Sequence, residues 1–175
     1  MSWNILFLCT GNSARSILGE ALATVRSSGR LRGYSAGSHP TGRVNPFASE
    51  LCKEIGYPTE NLRSKTWDEF AKPDAPNMQL IVTVCDSAAG EACPYWPGHS
   101  VSAHWGLPDP AAVDGSDDRK RAAFRAICDA MAKRIDMLLE LPFETLADGE
   151  LRAQMKRIGA QEVLDPAAAQ LFAAR

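Results

Sequence analysis

Apolar and polar positions follow two rhythms along this chain, and the switches between them lay out alternating strands and helices. Trp3-Asn4-Ile5-Leu6-Phe7-Leu8 is a short apolar run, too brief for a helix and typical of a strand buried on both faces. After a polar stretch, Ile17, Leu18, Ala21, Leu22 and Val25 recur at helical spacing until Ser27-Ser28-Gly29 stops them. The sequence then repeats the pattern. Arg32 to Gly37 reads as a strand ending in a glycine turn, and His39-Pro40-Thr41-Gly42 continues the loop. Asn45-Pro46 starts a helix with Phe47, Leu51 and Ile55 on its apolar face, closed by Gly56.

Residues 57–79 are irregular apart from a helical piece around Trp67-Asp68-Glu69-Phe70. Leu80 to Val84 is the clearest buried strand and ends on Cys85. Asp86 to Gly98, carrying Gly90, Pro94 and Pro97, reads as a loop long enough to suggest function. Ser100 to His104 makes a fourth strand, and Trp105 to Pro110 a turn. Phe124, Ile127, Cys128, Met131, Ile135, Leu138 and Leu139 give the strongest helix signal, capped near Ser116 or Asp117 and ended by Pro142. A further helix is expected from Thr145 to Ile158. This order predicts an α/β fold, a four-stranded parallel sheet with helices on both faces. Residues 1–159 form the domain and 160–175 a tail with a short helix from Asp165-Pro166. Cys9, Cys85 and Asp109 then share the rim at the carboxyl ends of the strands, where open α/β sheets bind ligands.

Composition narrows the choice. At 175 residues and 45% hydrophobic, the chain supplies one substantial core rather than two. A net charge of −2 provides no basic field for nucleic acid or an anionic membrane, so anion binding must be local. The amino terminus lacks a basic segment followed by an apolar core, and no apolar run approaches the roughly twenty residues that span a bilayer. The reading is a soluble, cytoplasmic protein. Five cysteines are an odd number in a chain too large to need staples, which favours a reducing compartment. Cys52 lies in the expected helix from Asn45 to Gly56 and Cys128 on an apolar helical stripe, and both are expected in the core.

The chemistry is expected in Cys9-Thr10-Gly11-Asn12-Ser13-Ala14-Arg15-Ser16, between the first strand and the first helix. Unpaired N–H groups and the positive end of a helix dipole converge there, the setting for a tetrahedral oxyanion. Gly11 is expected to aim N–H groups inward, and Arg15 offers a planar fork for two oxygens. Cys9 should carry a depressed pKa, since Arg15 and the helix end favour thiolate and Ser16 can donate a hydrogen bond. Taken singly, Cys9 is equally a small hydrophobe ending a strand. The whole pattern Cys-x5-Arg-Ser, set between strand and helix, points to an activated nucleophile.

This run resembles the signature of the low-molecular-weight protein tyrosine phosphatases and of the arsenate reductases that share their fold, over Trp3 to about Ile158. The resemblance implies that Thr10, Gly11, Asn12, Ser13, Ala14 and Arg15 bind the oxyanion, that Cys9 is the nucleophile with Ser16 beside it, and that Asp109, before Pro110, is the general acid. The phosphatases follow that pair with aromatic residues that hold a phosphotyrosine ring. Here Ala111-Ala112 follow, and His104-Trp105-Gly106 resembles the reductases. The reductases also use two cysteines after the third strand, which Cys85 and Cys93 match with a different insert between them. The implied activity is reduction of arsenate to arsenite without a cofactor or metal. Cys85 attacks Cys9, Cys93 takes over the bond, and thioredoxin, glutaredoxin or a low-molecular-weight thiol supplies electrons.

Rival readings remain. A tyrosine phosphatase would use Cys9 and Asp109 through a phosphocysteine, and a regulator would bind the oxyanion without turnover. Cys85, Cys93, His99 and His104 form a Cys-x7-Cys-x5-His-x4-His series whose histidine spacing suits zinc and whose cysteine spacing does not. Some relatives bind a monovalent cation near the cradle, and Asn12, Glu20 and Ser35 match part of that site.

Overall fold

The structure, a computed structural model, describes residues 1–90 and 100–173. Strands β1 (Trp3–Cys9), β2 (Leu31–Gly37), β3 (Leu80–Thr83) and β4 (Val101–His104) form one sheet in the order β2-β1-β3-β4, every pair parallel. The central strand explains its own composition: Ile5, Leu6, Phe7 and Leu8 are each fully buried because both sheet faces are covered.

Alternation sends Ile5 and Phe7 to the larger core, shared with helices α1 (Arg15–Arg26), α2 (Pro46–Glu54), α4 (Asp117–Leu139) and α5 (Asp148–Gly159). Leu6, Leu8 and Ile81 face the other way, where Phe70 and Met78 complete a smaller cluster around the 3₁₀ turn Trp67–Phe70. Helix α3 (Asp86–Gly90) buries Ala88 in the larger core, and Ala88 and Ala89 line a hollow with Ile81, Thr83 and Ser102. A final helix, α6 (Pro166–Ala173), starts where Asp165 Oδ1 accepts the Ala167 N–H at 2.8 Å.

Helix α4 begins at Ser116, whose hydroxyl accepts the Arg119 N–H, and Asn45 caps α2 by accepting the Phe47 N–H. Two sequence expectations change. The segment read as loop from Asp86 opens with the short helix α3. Strand β3 closes at Thr83, two residues before Cys85. Among the described residues, no helix is long and apolar enough to cross a membrane.

Candidate active site

The loop from Cys9 to α1 is shaped by where its carbonyls go. Those of Cys9, Thr10, Gly11 and Ser13 accept N–H groups of Ser38, His39, Thr41 and Asn45 at 3.3, 2.9, 3.0 and 2.9 Å. In a trans peptide the N–H points opposite the carbonyl, so these outward bonds turn the N–H groups of Gly11, Asn12 and Ala14 toward the hollow of the loop. The close approach depends on Gly37 at the end of β2, where a Cβ would lie 2.4 Å from the Thr10 carbonyl oxygen. Helix α1 begins without a side-chain cap and with no acid in its first turn, leaving its amino end open to an external anion.

Asn12, not Gly11, takes the left-handed conformation that bends the loop, with φ 45°. Asparagine tolerates that region, and here its buried side chain is fixed at both ends. Oδ1 accepts the Lys65 N–H at 2.9 Å, and Nδ2 donates to Ser16 Oγ at 2.9 Å. The sequence reading assigned the bend to glycine because it could not see this pair of bonds.

Cys9 Sγ lies 2.9 Å from Ser16 Oγ and accepts the Asn12 N–H at 3.1 Å. The expected depression of its pKa does not hold. Burial raises the thiol pKa, and the bonds from Ser16 and Asn12 and the Arg15 charge oppose that only in part, with neighbouring Cys85 adding to the rise. Cys52 and Cys128, buried in the core, are pushed up to about 12 and about 11 by the same desolvation, with no such donors.

Arg15 lies across the mouth. Its Nη1 donates to the Leu107 carbonyl at 2.9 Å, and its Nη2 lies 3.8 Å from Asp109 Oδ2. One of its five N–H donors is thus spent on the turn after β4, which brings Asp109 to the cradle. Asp109 Oδ1 accepts the Ala111 N–H at 3.0 Å, capping the 3₁₀ turn Pro110–Ala112 and leaving Oδ2 toward Arg15. Cys85 comes to the same rim. Its buried Sγ lies 3.7 Å from Thr10 Oγ1 and accepts the Ala88 N–H at 3.4 Å. Cys9, Ser16, Arg15, Asp109 and Cys85 are therefore neighbours, while Cys93 lies outside the described residues. So does His99 of the rival zinc series, and both ring nitrogens of His104 are engaged by Thr83 and Asp86.

Sequence reasoning missed Lys65, Tyr57 and the Leu107 carbonyl. Where the resemblance implied part of a cation site, Ser35 donates to the Glu20 carboxylate, and so does the Tyr57 hydroxyl, at 2.8 Å. Lys65 Nζ lies 3.7 Å from Glu20 Oε2 and bonds Ser35 Oγ and the Arg63 carbonyl at 3.4 and 3.2 Å. A tethered ammonium fills this site. Lys65 and Tyr57 come from the irregular stretch, where no periodicity ties either residue to Glu20.

Residues 4–155 match the family model described as low molecular weight phosphotyrosine protein phosphatase. An arsenate reductase from Halalkalibacterium halodurans is 40% identical over 136 residues, which is 78% of this chain and 94% of that protein. One from Bacillus subtilis is 37% identical over the same shares. The crystal structure of arsenate reductase from Archaeoglobus fulgidus superimposes with a TM-score of 0.60 at 27% identity, covering 78% of this chain and 99% of that one.

Proposed function

The chain belongs to the low molecular weight phosphotyrosine protein phosphatase family, and from that premise we propose that it is an arsenate reductase. The observation that carries the choice is Cys85, a second thiol at the cradle rim with Sγ 3.7 Å from Thr10 Oγ1. Hydrolysis of a phosphate ester has no use for a second thiol. The curated relatives named as arsenate reductases support the same choice, as does Ala111-Ala112 after Pro110.

The reaction begins when arsenate enters the hollow of residues 9–16, held by backbone N–H groups, the amino end of α1 and the N–H donors of Arg15. Cys9 attacks arsenic as thiolate, and Asp109 protonates the oxygen that leaves as water, giving a Cys9–arsenic(V) adduct. Cys85 thiolate then attacks Cys9 Sγ. An S–S bond forms, the S–As bond breaks, and its electron pair stays on arsenic, which leaves as arsenite. Two thiols have been oxidised to a disulfide and arsenic(V) reduced to arsenic(III). Cys93 takes over the bond from Cys9, and a thiol donor of the thioredoxin, glutaredoxin or low-molecular-weight class restores the dithiol in the cytoplasm.

Burial shapes the first step. It raises the thiol pKa, opposed by the Ser16 and Asn12 hydrogen bonds and the Arg15 charge, so Cys9 gives up its proton, to an oxygen of the arsenate beside it, as it attacks. The test is a coupled assay with arsenate and each class of thiol donor in turn, run beside hydrolysis of an aryl phosphate. Donor-dependent arsenite production that exceeds aryl phosphate turnover is the expected result. Aryl phosphate hydrolysis without arsenite would favour the phosphatase instead.

A further inference from the structure

A second set of hydrogen bonds links the residues that flank Cys85 in the chain. Thr83, the last residue of β3, is the register partner of His104, the last residue of β4. Thr83 Oγ1 lies 2.8 Å from His104 Nδ1, and His104 Nε2 lies 2.9 Å from Asp86 Oδ1. A neutral imidazole protonated on Nε2 satisfies both contacts, accepting the threonine hydroxyl and donating to the carboxylate. The ring therefore bridges the residue two before Cys85 and the residue directly after it.

The strand side of Cys85 is already fixed by its backbone, since the Trp105 N–H donates to the Thr83 carbonyl at 2.8 Å and the Leu107 N–H to that of Val84 at 3.2 Å. On the other side Ala88 is buried and the Ala89 N–H donates to the Cys85 carbonyl at 3.2 Å, but the Asp86 side chain between them, 97% exposed, has no burial of its own to fix it. Gly106 makes room for the bridge, as a Cβ there would lie 2.7 Å from His104 Nε2 and 3.2 Å from Asp86 Oδ1. An exposed carboxylate–imidazole contact contributes little to stability, so its value lies in the geometry it imposes.

We propose that His104 is a positioning residue for Cys85: by holding Asp86 at the end of β4 it sets the direction in which the chain leaves β3, and so keeps the Cys85 sulfur aimed at the Cys9 adduct. This rests on the reductase reading. A cysteine side chain has one rotatable bond before its sulfur, so the direction of its backbone decides where the sulfur can reach. Attack on Cys9 also needs the two Cα atoms within about 4.4–6.8 Å. The step served is the one in which the Cys9–Cys85 bond forms as the electron pair of the S–As bond stays on arsenic.

The experiment is a single turnover of the reduced, full-length protein with arsenate and no thiol donor, quenched at intervals. Arsenite and the Cys9–Cys85 disulfide are counted, the latter by mass spectrometry, and Cys9 alkylation by iodoacetate is measured in parallel. His104→Ala and Asp86→Ala should each slow disulfide formation roughly tenfold to a hundredfold, the size of effect expected when a reacting group is misplaced by about an ångström. Asp86→Asn, whose amide oxygen still accepts from Nε2, should stay near wild type. The double alanine variant should be no slower than either single one. Cys9 alkylation should not change in any of them. Wild-type rates in both alanine variants would overturn the proposal, as would equal losses in disulfide formation and Cys9 alkylation, the mark of a merely structural role. A wild type that reduces no arsenate and forms no such disulfide would overturn the reductase reading and this proposal with it.

Discussion

Asn12 Nδ2 donates to Ser16 Oγ at 2.9 Å, and that bond turns the Ser16 hydroxyl proton toward Cys9 Sγ, itself 2.9 Å away. The serine oxygen is already an acceptor, so its own O–H is available to the sulfur. Asn12 is held in turn by the Lys65 N–H, which extends the chain of bonds from the thiol to the segment beyond β2.

Removing that donor should therefore be visible in the thiol. Burial already raises the Cys9 pKa, and the Ser16 bond is the largest influence in the opposite direction. Ser16→Ala should raise it further, so the pH dependence of Cys9 alkylation by iodoacetate moves to higher pH and the rate at pH 7 falls several-fold. An unchanged profile would mean that the backbone N–H of Asn12 and Arg15 are sufficient.

In the proposed mechanism Asp109 makes one proton transfer. Its Oδ1 is committed to the Ala111 N–H at 3.0 Å, while Oδ2 faces Arg15 at 3.8 Å. Asp109→Asn keeps the cap and removes the acid, so adduct formation at neutral pH should slow by roughly 10²- to 10⁴-fold. Single-turnover kinetics with arsenate would show it, and an unchanged first step would assign the acid to another group.

What the sequence made legible was whatever lay in contiguous residues. The run Ile5 to Leu8 is readable because burial on both faces demands an unbroken apolar strand, and the 9–16 loop because its donors adjoin one another in the chain. Helix α3 was hidden since five residues are too few for a 3.6-residue rhythm. Asn12 was overlooked as the bend because its two stabilising bonds come from Lys65 and Ser16 in the folded chain. The Cys9 pKa was misjudged for a related reason. Arg15 is visible in the sequence as a charge, whereas the desolvation that outweighs it belongs to the packed structure.

Lys65 is the buried counterpart of Glu20, with both side chains 8% exposed and Nζ 3.7 Å from Oε2. Desolvation lowers the lysine pKa, opposed by the Glu20 charge. A lysine with a folded pKa below its unfolded one binds fewer protons when folded, so across that window this group makes stability rise with pH. Lys65→Met leaves a buried carboxylate with hydroxyl donors alone, and should cost about 3–5 kcal/mol in urea unfolding. Lys65→Met/Glu20→Gln should recover much of that loss. A Lys65→Met protein as stable as the wild type would show that Ser35 and Tyr57 suffice.

The last prediction separates two chemistries at one atom. Both the reductase and a phosphatase would use Cys9, so Cys9→Ser should abolish either activity and cannot tell them apart. Cys85 can, because its sulfur lies 3.7 Å from Thr10 Oγ1 on the cradle rim, and only the reductase needs a second thiol there. Cys85→Ser should end multiple-turnover arsenate reduction while sparing any slow aryl phosphate hydrolysis, since the Cys9, Arg15 and Asp109 geometry does not pass through it. Cys93→Ser should be mild if a small thiol can attack the Cys9–Cys85 bond directly, and severe if a protein donor requires the bond relayed to Cys85–Cys93. Mass spectrometry of the wild type after one arsenate turnover without donor should find a single new disulfide that includes Cys85. A Cys85→Ser protein that still reduces arsenate at the full rate would remove the second thiol from the mechanism and leave the cradle as a phosphatase site.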